Sequence, residues 1–121
     1  MRILLIEDNE SNAYLARFLL ERRGHQVVVA PTGGEGVAES RASRYDLILL
    51  DLRLPDGDGC DFVPGLVPPG TADPTPVIAV SAHALAADRA RAIEVGCCGF
   101  IEKPIDVTTF ADRIEEIAGK K

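Results

Sequence analysis

Apolar residues in this chain fall into two spacings. Short, nearly unbroken runs occupy residues 3–6, 26–30, 46–50, 77–80 and 99–101. Runs that do not alternate with polar residues are those of strands buried on both faces. Between the runs the spacing lengthens to that of a helix. Leu15, Phe18 and Leu19 make an i, i+3, i+4 stripe behind a capping residue, Asn9 or Ser11. Gly24 stops that helix, with Arg22 and Arg23 in its last turn, where cations suit the dipole. Residues 35–43 predict a weaker helix with Val37 as its main apolar residue. A helix beginning near Cys60 is interrupted by Pro64 and ended by Pro68, Pro69 and Gly70, so it spans only about two turns. Residues 71–76 read as a loop. Residues 84–95 form a helix of small residues stopped by Gly96, and Val107, Phe110, Ala111, Ile114, Ile117 and Ala118 mark an amphipathic last helix.

Five strand-then-helix units follow one another without a repeat, linker or low-complexity segment. That order predicts one α/β domain over residues 1–121, a doubly wound parallel sheet with helices on both faces and right-handed crossovers.

Composition narrows the function. The formal net charge of −6 argues against nucleic acid as a direct partner, which needs a basic patch. No apolar run approaches the ~20 residues of a membrane span, and the N-terminal residues lack a signal-peptide pattern. The cysteines, Cys60, Cys97 and Cys98, have no metal-binding spacing and read as free thiols in a reducing compartment. A cytoplasmic location is the expectation.

The chemical signal is positional. Glu7 and Asp8 follow the first strand, Asp51 the third, Ser81 the fourth and Lys103 the fifth. In a parallel sheet those carboxyl ends share one edge, where open α/β sheets bind ligands. Taken alone, Asp51 could simply cap a turn, and the set could be a structural ion-pair cluster. Crowded carboxylates, however, resist ionisation unless a cation compensates them. Mg²⁺, a hard cation that takes oxygen ligands, suits them. A carboxylate nucleophile beside a lysine and a hydroxyl suits phosphoryl capture as an aspartyl phosphate.

These residues carry a family resemblance that covers essentially the whole chain. Ile6, Glu7, Asp8 and Asn9, the run from Leu50 to Pro55 with Gly57 and Gly59, the run from Ala79 to Ala82, and Lys103 with Pro104 resemble the receiver domain of two-component response regulators. The resemblance implies a flavodoxin-like sheet of order 2-1-3-4-5, with Asp51 as phosphoacceptor. It implies that Asp8, Asp51 and the backbone carbonyl of Arg53 hold Mg²⁺, with Glu7 helping through water. Ser81 and Lys103 would grip the phosphoryl oxygens. Phe100 stands where the family places a switch aromatic, expected to move inward on phosphorylation and remodel the face formed by the fourth helix, fifth strand and fifth helix. Arg53 and His83 flank the approach of hydrolytic water. Neither is a carboxylate or carboxamide, so a slow autophosphatase is expected. The Lys103–Pro104 bond is expected to be cis.

The implied partners are a histidine kinase or histidine phosphotransfer protein upstream, and a protein target or fused output domain downstream. Ala82, His83, Ala84, Asp88 and Arg89 are similar to phosphorelay receivers and to stand-alone receivers of cell-cycle pathways. The chain is expected to be a switch, not an enzyme, beyond its Mg²⁺-dependent self-phosphorylation. Pro64 and the Pro-Pro-Gly terminus depart from the family's longer third helix. A haloacid-dehalogenase-like phosphatase would carry its nucleophile after the first strand as Asp-x-Asp. A flavin binder would need a Ser/Thr-rich loop there, and no Walker-type loop is present. Asp56 and Asp58 read as turn residues beside Gly57 and Gly59, His25 as a surface residue, and Tyr14 as a partly exposed contact residue.

Overall fold

The computed structural model describes residues 1–82 and 85–119. Five strands form one parallel sheet: β1 (Arg2–Ile6), β2 (Gln26–Ala30), β3 (Leu47–Asp51), β4 (Val77–Ser81) and β5 (Gly99–Glu102). Their order across the sheet is β2-β1-β3-β4-β5, as the resemblance implied. The helices are α1 (Glu10–Glu21), α2 (Gly33–Ala42), α3 (Val63–Leu66), α4 (Ala86–Glu94) and α5 (Phe110–Ala118). A 3₁₀ turn, Gly59–Phe62, leads into α3. Two-residue strands Arg53–Leu54 and Gly57–Asp58 make a separate antiparallel ribbon after β3.

Because successive strand residues point to opposite faces, the buried runs feed two cores. Ile3, Leu5, Leu47, Leu49, Ile78 and Val80 pack with Ala13, Ala16 and Leu20 of α1 and Phe110, Ile114 and Ala118 of α5. Leu4, Ile6, Ile48, Leu50, Val77 and Ala79 pack with Val63 and Leu66 of α3 and Ala92 of α4. Gly36 lets α2 lie close on the second face, since a Cβ there would come within 2.4 Å of Ile6. Among the described residues, no helix is long and apolar enough to cross a membrane.

Several local expectations need correction. The core stripe of α1 is Ala13, Ala16 and Leu20, whereas Phe18 is exposed and stacks on exposed Tyr14. Small residues let α1 approach the sheet closely. The helix is capped by Asn9, whose side chain accepts the Asn12 N–H at 2.9 Å, and ends at Glu21, so Arg22 and Arg23 lie beyond its last turn. Pro64 does not interrupt α3. It occupies the first turn, where its missing N–H costs nothing. Val107 precedes α5 and is exposed. His25 is largely enclosed, with Nε2 2.8 Å from Glu115 and Nδ1 2.8 Å from the Met1 ammonium.

Candidate functional site

Strand register assembles the site. Ile6, Leu50, Ala79 and Phe100 lie side by side across β1, β3, β4 and β5. One residue further along stand Glu7 and Asp51, and beyond them Ser81, paired with Glu102. Lys103 follows, its N–H donating to the Ser81 carbonyl at 2.9 Å. The Lys103–Pro104 peptide is cis, as expected.

Glu7, Asp51 and Ser81 are 5%, 5% and 1% exposed, the buried polar side chains among the described residues. Lys103 Nζ sits 2.5 Å from Glu7 Oε1 and 3.2 Å from Asp51 Oδ2. Asp51 Oδ1 accepts the Arg53 N–H at 3.0 Å, and Glu7 Oε2 accepts the Asn9 N–H at 3.3 Å. Asp8 is exposed at the rim, and carboxylate oxygens of Glu7, Asp8 and Asp51 come within 4.8 Å of one another. Three carboxylates therefore face one ammonium. Burial, with the hydrogen bond and charge of Asp51, pushes the Glu7 carboxyl up to about 7 against the pull of Lys103. Burial works against the Lys103 ammonium too, but Glu7 and Asp51 outweigh it and hold its pKa above the ordinary value. A hard divalent cation relieves this crowding, and the all-oxygen donor set suits Mg²⁺.

The loop after β3 is folded tightly over the site. The Gly59 N–H donates to Leu52 O at 3.0 Å, and a Cβ on Gly59 would come within 2.3 Å of Asp51 O. Asp56 and Asp58 are caps, as turn residues should be. Asp56 accepts the Gly33 and Gly34 N–H groups at 2.9 Å, and these bonds lower its pKa. Asp58 accepts the Cys60 N–H. The Arg53 side chain is exposed. His83 lies outside the described residues.

Phe100 was expected to move inward on phosphorylation, yet its ring is already inside, 7% exposed. The Arg89 guanidinium lies 4.7 Å from the ring centroid and also pairs with Glu102. Sequence reading gave Arg89 only as part of a resemblance and did not foresee the contacts of Arg89 or Arg91, because their partners come from other elements and no spacing announces them.

A parallel five-stranded sheet of this strand order, with an acidic cluster, a lysine and a serine at its carboxyl edge, is the frame of a signalling receiver. The chain belongs to the response regulator receiver domain family, which it matches over residues 3–115. It is 36% identical to the polar-differentiation response regulator DivK of Brucella anthropi, over 97% of this chain and 95% of DivK. Among solved structures, the non-phosphorylated HemR receiver domain of Leptospira biflexa is similar with TM-score 0.88 and 35% identity, covering 99% of this chain and 95% of that one. A CheY-like receiver domain protein from Methanospirillum hungatei gives TM-score 0.85 and 27% identity, over 98% and 94%.

Proposed function

We propose that Asp51 takes a phosphoryl group from a phosphohistidine on a histidine kinase or histidine phosphotransfer protein. An Asp51 carboxylate oxygen forms the new bond to phosphorus, the P–N bond breaks, and the imidazole nitrogen leaves with its electron pair and takes up a proton. The observation that carries this reading is a buried Asp51 held 3.2 Å from the Lys103 ammonium, with buried Ser81 next along β4 from Val80, the sheet partner of Asp51. Lys103 and the Ser81 hydroxyl are assigned to the phosphoryl oxygens. Asp8, Asp51 and the Arg53 carbonyl would hold Mg²⁺, with Glu7 assisting through water. That ion would supply charge neutralisation for the transferred group.

Arg53 and His83 are assigned to the hydrolytic approach, where they make dephosphorylation slow. Ser81 and Phe100 carry the change to α4, β5 and α5, as a shift between states already populated. Since Phe100 is already buried, the change is a repacking beneath Arg89. The output passes to a protein target or a fused domain, and similarity to DivK favours a role in polar differentiation. Three free thiols fit a cytoplasmic setting.

Incubation with Mg²⁺ and acetyl phosphate tests the reading. One base-labile acyl phosphate at Asp51 is expected. Labelling that survives Asp51→Asn, or proceeds equally in EDTA, overturns it.

A further inference from the structure

Helix α4 buries one side chain, Ala92. Two arginines moor it instead. Arg89 reaches β5 through Phe100 and Glu102. Arg91 reaches the opposite way, to Asp58 and, at 2.9 Å, to Asp61. Asp58 is no isolated surface acid. Its Oδ1 caps the 3₁₀ turn through the Cys60 N–H at 2.9 Å, and its backbone pairs with Arg53 in the ribbon. Arg53 in turn donates its N–H to Asp51 and carries the carbonyl assigned above to Mg²⁺. The contacts therefore run from Arg91 to Asp58, from Asp58 to Arg53, and from Arg53 to the acidic cluster.

We infer that Arg91 is a positioning residue for the cation site. By holding Asp58 it fixes the ribbon, and with it the Arg53 carbonyl, so that cation occupancy and the pose of α4 depend on each other. The inference rests on the proposed reading of the acidic cluster. Linkage makes the dependence reciprocal: whatever α4 contributes to binding the cation, the cation returns to α4.

The test is titration calorimetry of Mg²⁺ into the unphosphorylated protein, comparing wild type, Arg91→Ala, Arg91→Lys and Arg89→Ala. Arg91 is exposed on a helix and alanine favours helix, so the fold survives, and melting without Mg²⁺ checks this. Arg91→Ala is expected to weaken Mg²⁺ by about two- to fivefold, the range open to an exposed ion pair. Arg91→Lys recovers part of the loss. Arg89→Ala, whose partners lie on β5, is expected to weaken Mg²⁺ less than Arg91→Ala does. At about 1 M salt the ratio of wild type to Arg91→Ala falls toward one, because exposed pairs are screened. Amide exchange in α4 is expected to slow on adding Mg²⁺ to wild type and not to Arg91→Ala. Equal affinities in wild type and Arg91→Ala overturn the inference. So does an equal loss in Arg89→Ala, which would make any loosening of α4 sufficient. No Mg²⁺ binding by wild type overturns the reading of the site itself, and this inference with it.

Discussion

Cys97 and Cys98 are neighbours in sequence but differ in their access to solvent. Burial raises all three thiols, Cys97 up to about 12, but Cys98 is exposed at the surface while Cys60 and Cys97 are enclosed. Thiolate is the reactive form. Access then decides between them: at about pH 8 a thiol reagent should label exposed Cys98 first, in a fast phase, with Cys60 and Cys97 reacting only as the protein opens. Cys98→Ser should remove the fast phase; a fast phase persisting in that variant would contradict the assignment. Tyr45 offers a second residue-scale test. Burial, with its hydrogen bond to Glu39 at 2.6 Å, raises its pKa to about 12. The folded protein thus keeps a phenolic proton that the unfolded chain releases near pH 10. That contribution is fully present below pH 10 and is lost as pH rises through 12. Urea unfolding should show wild type losing up to about 2 kcal/mol more than Tyr45→Phe across this window; parallel pH profiles would refute it.

Residues of the site were legible where position alone marked them. Glu7, Asp51 and Ser81 directly follow an apolar run, Lys103 follows one past Glu102, and register brings such ends together. His25 was misread because the groups that enclose it, Met1 and Glu115, are distant in sequence.

Among the elements, α4 and α5 differ most in how they are held. Helix α5 buries Phe110, Ala111, Ile114 and Ala118, while α4 buries Ala92 alone. Opening free energy follows buried apolar contact, and exposed ion pairs such as those of Arg89 and Arg91 add only about 0–1 kcal/mol each. Native-state hydrogen exchange should therefore be faster in α4 than in α5, and Arg89→Ala should widen the gap. Equal protection of the two helices would argue against it. Helix boundaries were legible to within a few residues because Asn9, Gly24 and Gly96 punctuate them. The α1 stripe was not, because its alanines give a weaker hydropathy signal than Leu15, Phe18 and Leu19. Nor was the placement of Pro64, which depended on whether the helix began at Cys60 or, after a 3₁₀ turn, at Val63.

For the whole molecule, alternation of apolar runs and helical spacings announced the α/β class, but not which strands are neighbours. Strand order entered through the family resemblance, since any buried strand could pair with any other on hydropathy alone. The assembled edge supports a global prediction. Mg²⁺ should raise the unfolding free energy by RT ln(1 + [Mg²⁺]/Kd), about 2.7 kcal/mol at a hundredfold excess over Kd. Asp8→Ala should remove most of that gain in a thermal melt. A shift unchanged by Asp8→Ala would make the cluster a structural ion-pair network. The two cores also have a consequence for how such a domain diversifies. Leu47 and Leu49 of β3 serve one, Ile48 and Leu50 the other, with the sheet backbone between them. Changes on opposite sides of that wall share few contacts, and well-separated sites behave additively. A lineage can therefore repack the core beneath α3 and α4 while the core beneath α1 and α5 is inherited intact, so that half of the interior keeps the fold standing while the other half drifts.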